Sequence, residues 1–167
     1  MATLAFRPAT LADLPLLQRL ARETWHAHYP GIISLEQIDY MLERMYGDTT
    51  IANELARGVA WDVIHADGEP IGFLSHSHDH AHHRVNLHKL YVLPAWHGTG
   101  VGKAGILRVR QYAIALHAST VSLYVNKKNT KAIRAYERAG FQVAESVVNE
   151  FGAGFVMDDH RMELRIY

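Results

Sequence analysis

The chain has 167 residues, 49% hydrophobic and 20% charged, which is enough for a substantial core and predicts a single domain over residues 1–167. Seventeen basic side chains balance seventeen acidic ones, so no global positive field exists to hold nucleic acid or an anionic membrane surface. The lack of cysteine removes disulfides, thiolate nucleophiles and cysteine-ligated zinc together; with no apolar run near the roughly 18 residues of a membrane span and no secretory pattern in residues 1–10, a cytoplasmic protein is expected.

A short apolar strand at Leu4 to Phe6 leads to Thr10 and Asp13, a helix-start pair, after which Leu14, Leu17, Ala21 and Trp25 recur at helical spacing to about His26. Pro30 and Gly31 break the chain, and Ser34 with Gln37 caps a second amphipathic helix through Ile38, Met41 and Met45. Val59 to Ile64 and Ile71 to Leu74 flank Asp67-Gly68, the turn chemistry of an antiparallel hairpin. His76, His78, His80, His82 and His83 follow; alternate histidines on one strand face suit zinc or nickel, but the reading preferred here is a polar hairpin loop, and no metal site is assigned. Leu87 to Leu93 and Val121 to Val125 enclose a helix from about Lys103 to His117, a βαβ unit and hence a parallel pair. Asn129 caps a further helix that Gly140 ends, and Phe141 to Val148 and Phe155 to Ile166 complete a mixed α/β sheet.

Between the strand and helix of the βαβ unit stands His97-Gly98-Thr99-Gly100-Val101-Gly102-Lys103. Glycines allow unusual φ and close ligand approach, and a helix start adds unpaired N–H donors, so a phosphorylated ligand is the physical expectation. The spacing does not fit a Walker loop, because Gly98 lies one residue too close to Gly102-Lys103 and Ala104 carries no hydroxyl for magnesium. Gly100, Gly102 and Gly105 do spell the dinucleotide pattern, yet no acidic residue ends the next strand at Val125 and Asn126.

The loop resembles the acetyl-CoA loop, R/Q-x-x-G-x-G/A, of the GNAT family of N-acetyltransferases, with His97 in place of Arg or Gln. Asn129 to Tyr136, followed by Gly140-Phe141, resembles that family's Asn-x-x-Ala-x-x-x-Tyr and Gly-Phe, 27 residues downstream of Gly102. The resemblance extends along essentially the whole chain, its two central motifs being specific. It implies a GNAT-like fold, a mostly antiparallel central sheet with one splayed parallel βαβ pair flanked by helices. It also implies acetyl-CoA as cosubstrate, with phosphates on the amides of Gly98, Thr99, Gly100, Val101, Gly102 and Lys103, a further contact from Asn129, and pantetheine along the backbone of Leu90, Tyr91 and Val92.

By the same resemblance Tyr136 is the general acid: a phenol of pKa about 10 stays protonated beside a thiol of about 8.5 and can protonate the departing sulfur. His88 resembles the second of two strand histidines in one branch of the family, with Asn86 in the first position, and an imidazole suits a base at neutral pH. Without cysteine or a Gly-x-Ser-x-Gly elbow, direct attack by the amine in a ternary complex is the simplest route. Glu36, Asp39 and Glu43 along the second helix, with Asp158 and Asp159 at the last strand, favour a small cationic amine or polyamine as acceptor. The alternatives are a protein N-terminal or lysine acetyltransferase and a non-catalytic acyl-CoA-binding module. A homodimer is expected because dimers are common in the family.

Overall fold

The computed structural model describes residues 1–167. Hydrogen bonding orders the strands β1-β2-β3-β4-β5-β7-β6 in a seven-stranded mixed sheet flanked by helices, with β4 and β5 parallel. Internal packing divides the chain into two compact units, Met1–His76 with Lys89–Gly102, and Ser77–His88 with Lys103–Tyr167. Strands β3 (Glu69–Asp79) and β4 (Arg84–Val92) contribute residues to both. No helix is long and apolar enough to cross a membrane.

In the first unit β1 (Leu4–Pro8) pairs antiparallel with β2 (Ala60–Ala66), and β2 with β3. Asp67 and Gly68 take φ of 49° and 83°, the left-handed turn that this dipeptide favours. A short 3-10 turn, Leu11–Asp13, precedes α1 (Leu14–His28). Asp13 accepts the Thr10 amide proton at 2.9 Å and grips Arg7 through both oxygens, which holds its carboxyl down at about 2. Ser34 Oγ accepts from Gln37 N at 3.0 Å to start α2 (Leu35–Tyr46) as expected. A third helix, α3 (Asp48–Ala56), was not evident in the sequence. The core of this unit joins Leu17, Leu20 and Trp25 of α1 to Ile38 and Met41 of α2 and Trp61, Val63 and Phe73 of the sheet, all at most 1% exposed. Gly72 lies against β4 so closely that a Cβ there would collide with the Tyr91 carbonyl oxygen, so only glycine fits this crossing.

In the second unit β4 and β5 (Thr120–Asn126) run parallel in register from Arg84 opposite Thr120 to Leu87 opposite Leu123. The crossover helix α4 (Val101–Ala115) joins the two strands and buries Ile106, Val109 and Ala113. The short α5 (Thr130–Arg138) follows Asn129, whose Oδ1 accepts from Ala132 N at 3.3 Å. Strands β6 (Gln142–Gly152) and β7 (Phe155–Arg165) form the last hairpin, and β7 returns beside β5.

The histidine run differs from the expected loop. Ser and His alternate as a strand does, so His76 and His78 belong to β3 and the connection to β4 is confined to residues 80–83. The rings of His78 and His80 lie 3.9 Å apart, and Asp79 accepts from His82 Nδ1 at 2.8 Å and from Arg84 Nε at 3.2 Å. No three His, Asp or Glu side chains converge to hold a metal ion.

Candidate active site

The glycine loop begins where β4 ends. Leu93 N donates to Ile71 O at 2.8 Å, a short 3-10 turn spans Pro94–Trp96, and the chain then crosses the exposed residues His97 to Gly100 before α4 begins at Val101. Gly98 and Gly100 have φ of 74° and 90°, in the left-handed region. A Cβ built on Gly98, Gly100 or Gly102 would meet nothing within 4 Å, so open space lies over the loop where a side chain would otherwise stand. Thr99 Oγ donates to Trp96 O at 2.6 Å, and His97 Nε2 lies 2.8 Å from Val92 O. The imidazole thus fastens the loop to the strand that precedes it. An exposed glycine loop with open space above it, entering a helix N-terminus, fits a pyrophosphate.

Leu90, Tyr91 and Val92 lie beyond the last parallel pairing of β4, which stops at Leu87 although the strand continues to Val92. Their side chains alternate. Lys89 and Tyr91 belong to an aromatic cluster with Trp25, Tyr29, Tyr46, Trp61 and Phe73, in which the Tyr29 and Tyr91 hydroxyls are 2.8 Å apart. Lys89 is 6% exposed; its Nζ sits 4.9 Å from the Trp61 ring centroid and 5.5 Å from that of Tyr46, and 4.0 Å from Glu54 Oε1. Burial pushes its ammonium down from the ordinary lysine range, with Glu54 opposing. Lys89 escaped sequence reasoning, although its place in the buried alternation Val85, Leu87, Lys89 is a signal of a lysine on a core face.

In the second unit, His88 is exposed and its Nε2 lies 2.7 Å from Ser77 Oγ. Tyr136 sits on α5, half-buried, its ring 5.5 Å from and edge-on to Phe141, which is 2% exposed. Asn129 is 8% exposed and caps the helix that bears Tyr136. The aspartates at the last strand separate, because adjacent strand residues face opposite ways. Asp158 is exposed and pairs with Lys127 Nζ at 2.8 Å, whereas Asp159 is 6% exposed. Asp159 Oδ2 accepts from Asn149 Nδ2 at 2.7 Å, and desolvation, reinforced by Asp158, raises its carboxyl above the ordinary range. The two aspartates therefore do not form one exposed acidic patch.

The structure thus groups Leu90 to Gly102 in the first unit and His88, Lys103, Asn129 and Tyr136 in the second. The chain is similar to known proteins along its length. Spermidine N(1)-acetyltransferase of Thermoplasma acidophilum is 26% identical over 161 residues, 93% of this chain and 96% of that protein. The crystal structure of PaiA N-acetyltransferase from Thermoplasma acidophilum, in complex with coenzyme A, superposes with a TM-score of 0.83 at 26% identity, covering 98% of this chain and 99% of that one. Mycothiol acetyltransferase of Corynebacterium glutamicum is 33% identical over 150 residues, 84% of this chain and 48% of that protein. A model of the acetyltransferase (GNAT) family matches residues 17–141, and the chain belongs to that family of acetyl-CoA-dependent acetyltransferases.

Proposed function

We propose that the protein transfers the acetyl group of acetyl-CoA to the primary amine of a small cationic acceptor, with diamines and polyamines as the preferred class. The observation that carries this reading is the end-to-end similarity to a spermidine acetyltransferase. The exposed carboxylates of Glu36, Asp39 and Glu43 on α2 support it, since they offer an ammonium an attractive approach on a chain of zero net charge.

When bound, acetyl-CoA supplies an acyl group already activated as a thioester. The amides of Gly98 to Lys103 hold its pyrophosphate, a role that needs the open backbone rather than the side chains, so His97 in place of Arg or Gln is tolerated. The main chain of Leu90 to Val92 orients the pantetheine arm and offers an N–H to the carbonyl oxygen. Asn129 fixes the start of α5, and Phe141 supports the ring of Tyr136 from its edge, so the phenol keeps a defined place from which to protonate the leaving sulfur.

Tyr136→Phe keeps the ring and deletes the donor. Turnover is expected to fall about 100-fold with coenzyme A affinity unchanged, measured as thiol release and by calorimetry. Unchanged turnover removes Tyr136 from the acid role. A panel of putrescine, spermidine and peptides with free N-termini tests the acceptor: release with peptides alone replaces the polyamine reading by protein acetylation.

A further inference from the structure

Seven carboxylates stand close to a cation, six of them in these pairs: Asp13 with Arg7, Glu23 with Arg19, Asp79 with Arg84, Asp158 with Lys127, and both Glu145 and Glu163 with Arg161. The seventh, the half-buried Glu54, has Lys89 Nζ at 4.0 Å. Asp159, 6% exposed, stands in no ion pair and leans instead on the neutral amide of Asn149. An ionised carboxylate taken out of water without a cation costs several kcal/mol, by order of magnitude. An asparagine would keep the shape without that cost, so the charge itself calls for a use.

Its position suggests the use. Asp159 is paired in register with Asn126, the last residue of β5, at the end of the strand that has already left the β4 ladder at Leu123. Three residues further, Asn129 opens the helix that carries Tyr136. Asn149 from β6 donates to the carboxylate and Asn126 of β5 is its register partner, while Asp158 and His160, its neighbours on β7 that project to the other face, and Lys127 from the turn act on it through their charge. The neighbouring charges are mixed: Asp158 and burial hold the proton on, while Asn149, His160 and Lys127 favour its loss. Such a carboxyl can take a proton at neutral pH more readily than an exposed one.

We propose that Asp159 is the general base of the transfer, its carboxylate accepting the proton of the acceptor's ammonium group, with Asn149 as the positioning residue that orients it. This rests on the amine-acetylation reading. In balance, the ammonium gives one proton to Asp159, and the freed amine forms the C–N bond to the thioester carbonyl carbon. The C–S bond breaks, the sulfur takes the proton of Tyr136, the nitrogen's second proton restores the phenol, and Asp159 passes its proton to water. Asp159 differs from His88, the base expected from sequence, in burial: each is held by a side chain of a neighbouring strand, Asn149 and Ser77, but Asp159 is buried and His88 is exposed on β4.

The test is the pH profile of kcat/KM for spermidine at saturating acetyl-CoA, with wild type, D159N, N149L and H88Q, and coenzyme A affinity by calorimetry. D159N should lose about 100-fold at pH 7, recover as rising pH supplies the free amine, and bind coenzyme A like wild type. Asn149 donates to the charged carboxylate, so N149L should raise the carboxyl further and move the acidic limb to higher pH, a shift that a merely structural role does not produce. If D159N does not fold, N149L decides alone. The proposal is overturned if D159N keeps the acidic limb, if N149L leaves it in place, or if the limb disappears only in H88Q. Wild-type protein that binds coenzyme A but acetylates no amine overturns the amine reading and the base with it.

Discussion

Lys89 and Glu54 show how a buried pair is held in place by its setting. The ammonium lies over two aromatic rings and 4.0 Å from one carboxylate oxygen, while Glu54 Oε2 is buried without a hydrogen-bond partner. Attraction at that distance offsets desolvation only in part, as the lowered lysine indicates. Removing one partner is therefore worse than removing both. Lys89→Met should cost about 3 kcal/mol, a fall in Tm of roughly 6–12 °C, because Glu54 is left without its cation. The double variant K89M/E54L should return to within about 1 kcal/mol of wild type. Thermal unfolding of the two proteins checks this, and a K89M protein melting with the wild type removes the pair from the stability of the first unit. The sequence placed His88, Leu90 and Val92 on this strand but gave no reason to single out Lys89. A lysine's identity does not reveal burial; only its phase with Val85 and Leu87 does.

At the scale of elements, local rules were readable where they act over a few residues. Asp67-Gly68, the Ser34 cap and the Asn129 cap all sit where their side chains and φ preferences predict. Helix α3 was not readable: Thr49 and Thr50 are poor helix formers, Gly47 supplies no capping side chain, and Ile51 alone among its residues is buried. Tertiary burial of that face decides it, and a local pattern does not carry that information. Strand β3 outran its expected end because Ser and His alternate as well as apolar and polar residues do. The glycine loop permits a variant that separates fold from ligand. Gly102 stands in the first turn of α4, outside the left-handed region, and a Cβ there meets nothing within 4 Å. Gly102→Asp should therefore leave Tm unchanged or slightly raised, since a carboxylate in the first turn of a helix is favourable to its dipole and aspartate is a better helix former than glycine. It should weaken coenzyme A at least about tenfold by placing a negative charge in the space assigned to the pyrophosphate, where alanine, which the family's loop also carries at this position, would not. Calorimetry giving equal affinity for both proteins moves the phosphates off this loop.

The order of elements in the whole molecule follows from a crossover that sequence makes visible. A strand, a glycine turn, a helix and a strand give the parallel β4 and β5, and the flanking hairpins supply the antiparallel strands. Nothing in the sequence placed β7 between β5 and β6, because that order depends on pairing between distant segments. A ligand that binds the folded chain and not the unfolded one stabilises the fold by mass action, whatever contacts it makes. Coenzyme A at 100 times its dissociation constant should add about 2.7 kcal/mol, a Tm rise of roughly 5–11 °C for a chain of this size. NAD at the same concentration should leave Tm where it was, since Gly100, Gly102 and Gly105 spell a dinucleotide loop but the strand after it ends in Val125 and Asn126, with no carboxylate for a ribose. The two cofactors share a pyrophosphate, so the comparison isolates what the rest of each molecule finds in the site. Equal shifts from both reduce the loop to a general phosphate cradle, whereas a shift with coenzyme A that shrinks in Gly102→Asp ties the stabilisation to the glycine loop itself.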